Sequence, residues 1–317
     1  MRFSRRDLLK GAAVAGASTA LAGAAEAREP VEPRPDAVGM LFDATRCVGC
    51  RACQTACKRA NQLPEDRVTP PAGGEYDAPN DLNARTKNVI KAFEGQGGPT
   101  YMKQQCMHCV DPSCVSVCMM GALHKEGEGK RDMGGEKKGT GIVIYDKGLC
   151  VGCRYCQIGC AFNVPKFEWD AALPLIQKCE LCRHRRDEKK GGVRAVANPA
   201  CAEVCPREAV IYGRREELLA EAKRRVAAEP GRYNPRVFGE KDGGGTQVLY
   251  LAPAGVEFKQ LGLPQLGDES QAHFSESVSH APYLHGVTPV ALYAAVAFVI
   301  RRNKKKEEAA EHGEEGK

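Results

Sequence analysis

Short apolar runs separated by polar turns recur along most of this chain. Two of them, Met40–Phe42 and Ile142–Tyr145, are each followed by an aspartate and then by a cysteine-rich loop. Runs of this length between turn residues predict strands, as does Gln247–Leu251 after three glycines. By contrast, residues 214–228 carry apolar side chains at helical spacing and predict an amphipathic helix. Strands and helices of these lengths predict an α+β fold.

The C-terminal region predicts a membrane anchor. Residues 283–300 contain no Asp, Glu, Lys or Arg, and five basic residues follow within 301–306. A helix over this span would be about 27 Å long, enough to cross the hydrocarbon core. The positive-inside rule then gives a cytoplasmic tail over 301–317 and a body on the opposite side. A buried core helix is the alternative, because only Val290–Ile300 is densely apolar.

The N-terminus predicts an export signal. Arg5 and Arg6 precede a mild apolar stretch, which ends at the small-x-small site Ala25-Glu26-Ala27. This pattern is typical of a twin-arginine signal peptide over 1–27, with an amphipathic helix as the alternative. Such a signal implies export of a folded, cofactor-loaded protein. With the anchor, it predicts a single-pass protein of the inner membrane whose main body lies on the periplasmic side.

Composition suggests that side-chain packing alone does not hold this protein together. Of 317 residues only 6% are aromatic and 34 are glycine, which favours a small, divided core. The net charge is +6, and no basic cluster is interleaved with aromatic residues, so no nucleic acid partner is expected. The chain also contains 16 cysteines, which are the obvious additional source of order.

The cysteines fall into four groups of four, with none left over. Groups I and III have the spacing C-x2-C-x2-C-x3-C, whereas group II widens one gap to four residues and group IV widens it to eighteen. Groups I and III also share the sequence Cys-Val-Gly-Cys-Arg-x-Cys, which indicates a duplication. The members are Cys47, Cys50, Cys53, Cys57 (I); Cys106, Cys109, Cys114, Cys118 (II); Cys150, Cys153, Cys156, Cys160 (III); and Cys179, Cys182, Cys201, Cys205 (IV).

This spacing predicts four [4Fe–4S] clusters. In two-cluster ferredoxins three close cysteines hold one cluster, and the fourth cysteine of the run ligates the other cluster. Zinc sites use pairs of cysteines and do not need a third one so close, and disulfides are the remaining alternative. From the residues alone, group I could exchange its fourth ligand with group II or with group IV. No nucleophile–base constellation or open metal site is present, so we expect no catalytic residue.

The chain resembles the four-cluster ferredoxin subunits of membrane-bound respiratory oxidoreductases, such as the β subunits of formate dehydrogenase and dimethyl sulfoxide reductase. The resemblance covers about residues 38–264 and rests on the four cysteine groups together with Gln105–Cys109, Lys178–Cys182 and Val204–Pro206. Within this family the chain is most similar to the iron–sulfur subunits of the [NiFe] hydrogenase-2 type, which combine such a signal with such an anchor. It departs from the ferredoxin pattern at Lys58, Met119 and Ala161, which replace the usual proline.

The resemblance implies two ferredoxin-like units within 38–212, a C-terminal extension over 213–282, and ligand exchange between groups I and IV and between groups II and III. It also implies an electron-transfer role between the large and small subunits of a NiFe hydrogenase and a quinone-reactive integral membrane subunit in the lipid bilayer. A molybdenum or tungsten oxidoreductase such as formate dehydrogenase is the alternative partner, and a zinc- or disulfide-stabilised membrane-tethered scaffold is the remote one. The implied ligand sets are Cys47, Cys50, Cys53, Cys205 (first); Cys106, Cys109, Cys114, Cys160 (second); Cys150, Cys153, Cys156, Cys118 (third); and Cys179, Cys182, Cys201, Cys57 (fourth).

Overall fold

The computed structural model describes residues 31–65, 79–95, 98–127, 139–169, 174–185, 198–276 and 293–303. The predicted signal peptide, the predicted tail beyond residue 303 and the first ten residues of the predicted anchor lie outside these ranges. Residues 30–272 form one compact unit of α+β structure, as the sequence pattern predicts.

Within the described residues the elements are short. The strands are β1 (Val38–Asp43), β2 (Asn88–Phe93), β3 (Thr100–Gln105), β4 (Leu123–Lys125), β5 (Val143–Tyr145), β6 (Lys166–Phe167), β7 (Ile176–Gln177), β8 (Val210–Arg214) and β9 (Val248–Leu251). The α-helices with defined bounds are α1 (Ala52–Ala60), α2 (Ser113–Ser116), α3 (Tyr155–Ile158), α4 (Ala200–Glu203) and α5 (Arg215–Ala228).

A three-stranded sheet in the order β8-β1-β9 organises this unit. Strand β1 pairs antiparallel with β8 and parallel with β9, and all six of its residues are buried. Strand β9, which lies within the predicted C-terminal extension, therefore pairs directly with the strand that enters cysteine group I. The remaining strands form the two-stranded antiparallel pairs β2–β3, β4–β5 and β6–β7.

The two faces of β1 serve different layers, because successive side chains of a strand point in opposite directions. On one face Leu41 packs with Leu218 and Ala222 of α5, the helix predicted from residues 214–228. On the other face Met40 and Phe42 belong to the largest apolar cluster, which also contains cysteines from groups I, II and IV. The sheet thus separates α5 from the cysteine-rich layer.

A buried ion pair fixes the end of β1. The fully buried Asp43 carboxylate accepts hydrogen bonds from Arg225 (3.0 Å) of α5 and from the hydroxyls of Tyr233 (3.0 Å) and Thr45 (2.6 Å). Charge-assisted contacts of this kind compensate for the cost of burying the carboxylate. They hold the strand end, and therefore the start of cysteine group I, against helix α5.

The described part of the predicted anchor is helical. Residues 293–303 form a helix whose apolar side chains Tyr293, Phe298 and Ile300 are exposed. Among the residues that the structure describes, no helix has both the length and the apolar character needed to cross a membrane.

Candidate metal centres

The duplicated loops of groups I and III have the same backbone shape. Gly49 (φ 69°) and Arg51 (φ 59°) correspond to Gly152 (φ 72°) and Arg154 (φ 67°), all in the left-handed region. At Gly49 the positive φ angle disfavours any other residue, and a Cβ atom there would also overlap the Tyr101 ring. In both loops the left-handed arginine immediately precedes the helix, α1 or α3, that carries the third cysteine of its group.

Two apolar cavities are each lined by four cysteines. One is lined by three cysteines of group I and by Cys205 of group IV. The other is lined by three cysteines of group III and by Cys118 of group II. In each cavity the second cysteine of the run, Cys50 or Cys153, is solvent-exposed.

The other eight cysteines lie deeper and also mix between groups. Cys57 lies within electrostatic range of Cys179, Cys201 and Cys182. Cys109 lies within the same range of Cys160, Cys114 and Cys106. Cysteines of groups I and IV therefore lie together, as do cysteines of groups II and III. That each set of four ligates one cluster stays a prediction.

The four sets follow one another through the protein. Cys53 of the first set interacts electrostatically with Cys201 of the fourth set. Cys179 of the fourth set interacts with Cys106 of the second. In turn, Cys114 of the second set interacts with Cys156 of the third. The sets therefore lie in the order first, fourth, second and third. Each of the two outer sets contains an exposed cysteine, Cys50 in the first and Cys153 in the third.

Paired short helices produce these contacts. Helices α1 and α4 pack together in one half, and α2 packs against α3 in the other. Cys53 and Cys57 lie on α1 about one helical turn apart, so one helix supplies a thiol to two different sets. This is the structural basis for sharing a cysteine run between neighbouring sets.

Burial keeps these thiols protonated when no metal is bound. It raises the pKa of Cys47 and Cys106 to about 11 and that of Cys53, Cys57, Cys156 and Cys201 to about 12. Buried thiolates need nearby positive charge, which iron ions supply. All sixteen thiols are free, and two sets surround cavities, so the donor set fits [4Fe–4S] groups. In the described ranges no group of three or more His, Cys, Asp or Glu side chains is arranged for a single metal ion.

Three buried lysines beside the cysteines were not identified from the sequence. Lys103 lies among thiols of the first and fourth sets. Lys178 donates to the Cys179 carbonyl (3.2 Å), and Lys125 donates to the carbonyls of Cys109 (3.1 Å) and Val110 (2.7 Å). The only available signal was their position, since Lys178 directly precedes a cysteine and Lys103 lies three residues before one. Lysine is common on protein surfaces, so its position near a cysteine in the sequence does not predict that it is buried beside one.

His108 and Trp169 lie in contrasting surroundings, one buried and one exposed. His108, between Cys106 and Cys109, is fully buried, and its Nδ1 accepts a hydrogen bond from the Val143 amide (3.0 Å). Burial lowers its pKa well below the usual value, with further lowering from Lys178 and Lys125, so the ring is neutral. This agrees with a supporting role. Trp169 is 65% exposed, and the Arg154 guanidinium lies 4.1 Å from its ring centroid.

Comparison with known proteins identifies two family matches. Residues 99–215 match the 4Fe-4S dicluster domain, and residues 2–22 match the twin-arginine translocation pathway signal sequence. The second match confirms the predicted signal.

Three relatives are similar over much of the chain. The chain is 40% identical to the hydrogenase-2 operon protein HybA of Escherichia coli O157:H7, over 96% of both proteins. It is 37% identical to a protein of Nitratidesulfovibrio vulgaris, over 93% of this chain and 76% of that one. It is 34% identical to the iron–sulfur subunit of the nitrate-inducible formate dehydrogenase of Escherichia coli strain K12, over 68% of this chain and 67% of that one.

Proposed function

We propose a path and a partner for the electrons that this chain carries. The chain belongs to the family of [4Fe–4S] electron-transfer subunits, which includes the hydrogenase-2 operon protein HybA and formate dehydrogenase iron–sulfur subunits. Membership confirms the predicted cofactor class and the predicted non-catalytic, electron-transfer role. The number of clusters, their ligands, the catalytic partner and the membrane anchor are the proposal.

The sixteen cysteines hold four [4Fe–4S] clusters in the first, second, third and fourth sets defined above. The observation that carries this assignment is that two cavities are each lined by four cysteines from two different groups. Bound clusters of this kind accept and donate single electrons at potentials set by charge, hydrogen bonds and solvent exposure. The protein holds the thiols beside apolar side chains, with eight of the sixteen cysteines buried and Cys50 and Cys153 exposed.

The order of the sets suggests the route. Electrons enter near one exposed cysteine, pass the two deeper sets and leave near the other exposed cysteine. Helix α1 supports the first transfer because it carries Cys53 of the first set and Cys57 of the fourth. The neighbouring helices α2 and α3 support the last transfer, between the second and third sets.

The two ends have different surroundings, which favours different partners. The third set is surrounded by at least four exposed apolar side chains, whereas the first set has two, Val48 and Val204. Those around the third set include Met119, Val151, Tyr155 and the 82% exposed Ile158. Large exposed apolar patches are typical of interaction sites. We assign this end to the quinone-reactive integral membrane subunit, and the first set to the side that receives electrons from the catalytic partner.

A [NiFe] hydrogenase, with its large and small subunits, is the catalytic partner that the comparisons favour. The relative named for the hydrogenase-2 operon covers 96% of this chain, whereas the formate dehydrogenase subunit covers 68%. A molybdenum- or tungsten-containing oxidoreductase remains the second candidate, because its iron–sulfur subunit is also 34% identical.

The export signal directs the protein to the periplasm, and residues 283–300 anchor it in the inner membrane. The support for the anchor is the uncharged span followed by five basic residues within 301–306. The described helix over 293–303 has the exposed apolar side chains that contact with lipid would require.

Metal analysis of the intact complex tests this proposal. We would purify the tagged protein from detergent-solubilised membranes and measure Fe, Ni, Mo, W and Zn together. We expect about 16 Fe per chain, from four clusters of four, plus nickel and additional partner iron. Molybdenum or tungsten in place of nickel would identify the second candidate. Zinc without iron would contradict the cluster assignment.

A further inference from the structure

Lys103 is a buried cation whose backbone is firmly held. It lies on β3 opposite Ile90 of β2, and its side chain is only 1% exposed. Its carbonyl oxygen accepts a hydrogen bond from the hydroxyl of the buried Tyr250 (2.7 Å). Both the strand pairing and this hydrogen bond fix where the Lys103 side chain begins.

The Lys103 ammonium lies near cysteines that are proposed cluster ligands. It donates a hydrogen bond to the side-chain oxygen of Gln105. The side chains with the strongest electrostatic effect on it are those of Cys201, Cys53, Cys179 and Cys57. An ammonium group in apolar surroundings is costly unless negative charge lies close by. Ile90, the residue opposite Lys103, lines the first cavity beside Cys53, and the side chains of directly paired residues lie on the same face of a sheet. The thiolates that hold a bound cluster would supply the negative charge that the Lys103 ammonium needs.

The thiols around Lys103 come from two different sets. Cys53 belongs to the first set, whereas Cys57, Cys179 and Cys201 belong to the fourth. Lys103 in turn lowers the pKa of Cys53, Cys57 and Cys201, opposing the effect of burial. Reduction adds one negative charge to a cluster, and a nearby cation stabilises that reduced form.

We propose that Lys103 is a positioning residue that compensates the negative charge of two adjacent clusters at once and raises the reduction potential of both. This inference rests on the ligand sets proposed above. The charge of Lys103 would also favour electron transfer between the clusters of the first and fourth sets. Repulsion between an electron on one cluster and the negative charge of the next is partly cancelled by the cation among their ligands.

A second buried lysine provides a reciprocal test. Lys178 lowers the pKa of Cys106 and Cys114, both in the second set. Removing its charge should therefore change a different part of the series. Lys91 is the matched control, because it lies on β2 of the same hairpin and its partly exposed ammonium lies 3.6 Å from the Asp81 carboxylate.

The experiment is a redox titration of the purified membrane complex, followed by electron paramagnetic resonance. In Lys103→Met we expect two cluster midpoint potentials to move to more negative values while the others stay in place. Lys178→Met should shift a signal that Lys103→Met leaves unchanged, and Lys91→Met should shift none. Lys103→Arg, which keeps the charge, should retain potentials close to those of the wild type.

Several results would overturn the role of Lys103: unchanged potentials in Lys103→Met, an equal shift of every cluster, or the same shift in Lys103→Arg. If Lys103→Met fails to assemble, Lys103→Arg decides. Assembly with wild-type potentials supports the requirement for charge, and failure of both variants contradicts it. The wild-type iron content separates this test from the ligand proposal, since fewer than four clusters in the wild type would contradict the ligand sets first.

Discussion

The cysteine-lined cavities of the first and third sets share one loop but differ in what supports it. Both have the sequence Cys-Val-Gly-Cys-Arg-x-Cys, the same pair of left-handed residues and an apolar lining that includes four cysteines. Before the first cavity, β1 lies fully buried in a three-stranded sheet, and the nine-residue α1 follows. Before the third, β5 belongs to a two-stranded sheet, and the four-residue α3 follows.

This difference separates two requirements. The repeated loop provides what a cluster needs, namely thiols at fixed spacing around a small apolar cavity. The surroundings, which are not repeated, provide a buried cation beside the first set and an exposed apolar rim beside the third. The following predictions test that separation by making the same change at corresponding positions.

The largest expected effect is on thiol reactivity after removal of iron. Burial raises the pKa of both Cys53 and Cys156 to about 12, from an ordinary value of 9.0. At pH 8 each folded thiol should therefore be alkylated about a thousandfold more slowly than in the unfolded chain, because only the thiolate reacts. Alkylation with iodoacetamide, followed by mass spectrometry with and without denaturant, measures this ratio, with exposed Cys50 and Cys153 as internal references.

The same pKa shifts determine whether the stability of the metal-free chain rises or falls with pH. The folded metal-free chain holds these protons more tightly than the unfolded chain, so the stabilisation is complete below pH 9 and is lost as the pH rises towards 12. A metal-free chain that becomes more stable between pH 9 and 11 would contradict the buried, protonated state of these thiols.

The largest difference between the two regions is expected at their corresponding aspartates. Asp43 is buried against Arg225, whereas Asp146 is exposed and accepts a hydrogen bond from the Gly148 amide (2.9 Å). Asp43→Asn should lower the free energy of unfolding by about 1.5–3 kcal/mol, because Arg225 loses one of its two carboxylate partners and keeps Glu221 (2.8 Å). Asp146→Asn should change it by less than about 0.5 kcal/mol, since asparagine caps almost equally well. Anaerobic denaturation followed by circular dichroism compares them, and equal losses would show that the two supports are equivalent.

The two loop glycines should show a smaller difference. Both have positive φ, so alanine costs about 1–2 kcal/mol at either position. A Cβ atom at Gly49 would also overlap the Tyr101 ring, whereas at Gly152 the nearest atom is 3.7 Å away. We therefore expect Gly49→Ala to be destabilising by about a further 1–3 kcal/mol. Iron content and denaturation of both variants test this, and equal behaviour would exclude a role for Tyr101.

The smallest effect concerns the rim of the third cavity. The Arg154 guanidinium lies 4.1 Å from the Trp169 ring centroid, and such an exposed contact stabilises by about 0.5–1 kcal/mol. A double-mutant cycle with Arg154→Gln and Trp169→Leu should recover a coupling energy of that size. In the first cavity the equivalent Arg51 instead bonds to Gln54 (3.1 Å), so Arg51→Gln combined with Trp169→Leu should be additive. A coupling near zero in the first cycle would mean that the stacking is not formed in solution.

Local features of this fold were predictable, and contacts between distant segments were not. The runs before groups I and III form β1 and β5, and the helix expected over 214–228 begins at Arg215. Periodicity and turn residues suffice for such elements. The pairing of β9 with β1 and the burial of Lys103 depend on segments far apart in the chain, for which local spacing carries no signal. For the same reason the cysteine spacing left two pairings of the groups open.

The crossed use of the cysteine runs is the central claim, and one variant tests it most directly. Cys57 follows Cys53 on α1 but lies among Cys179, Cys182 and Cys201. We would record electron paramagnetic resonance spectra of Cys57→Ser beside Cys179→Ser and Cys53→Ser. The signal changed in Cys57→Ser should be the one changed in Cys179→Ser, while the signal affected by Cys53→Ser stays intact. If Cys57→Ser instead changes the signal that Cys53→Ser changes, each run holds its own cluster, and the crossed ligand sets are wrong.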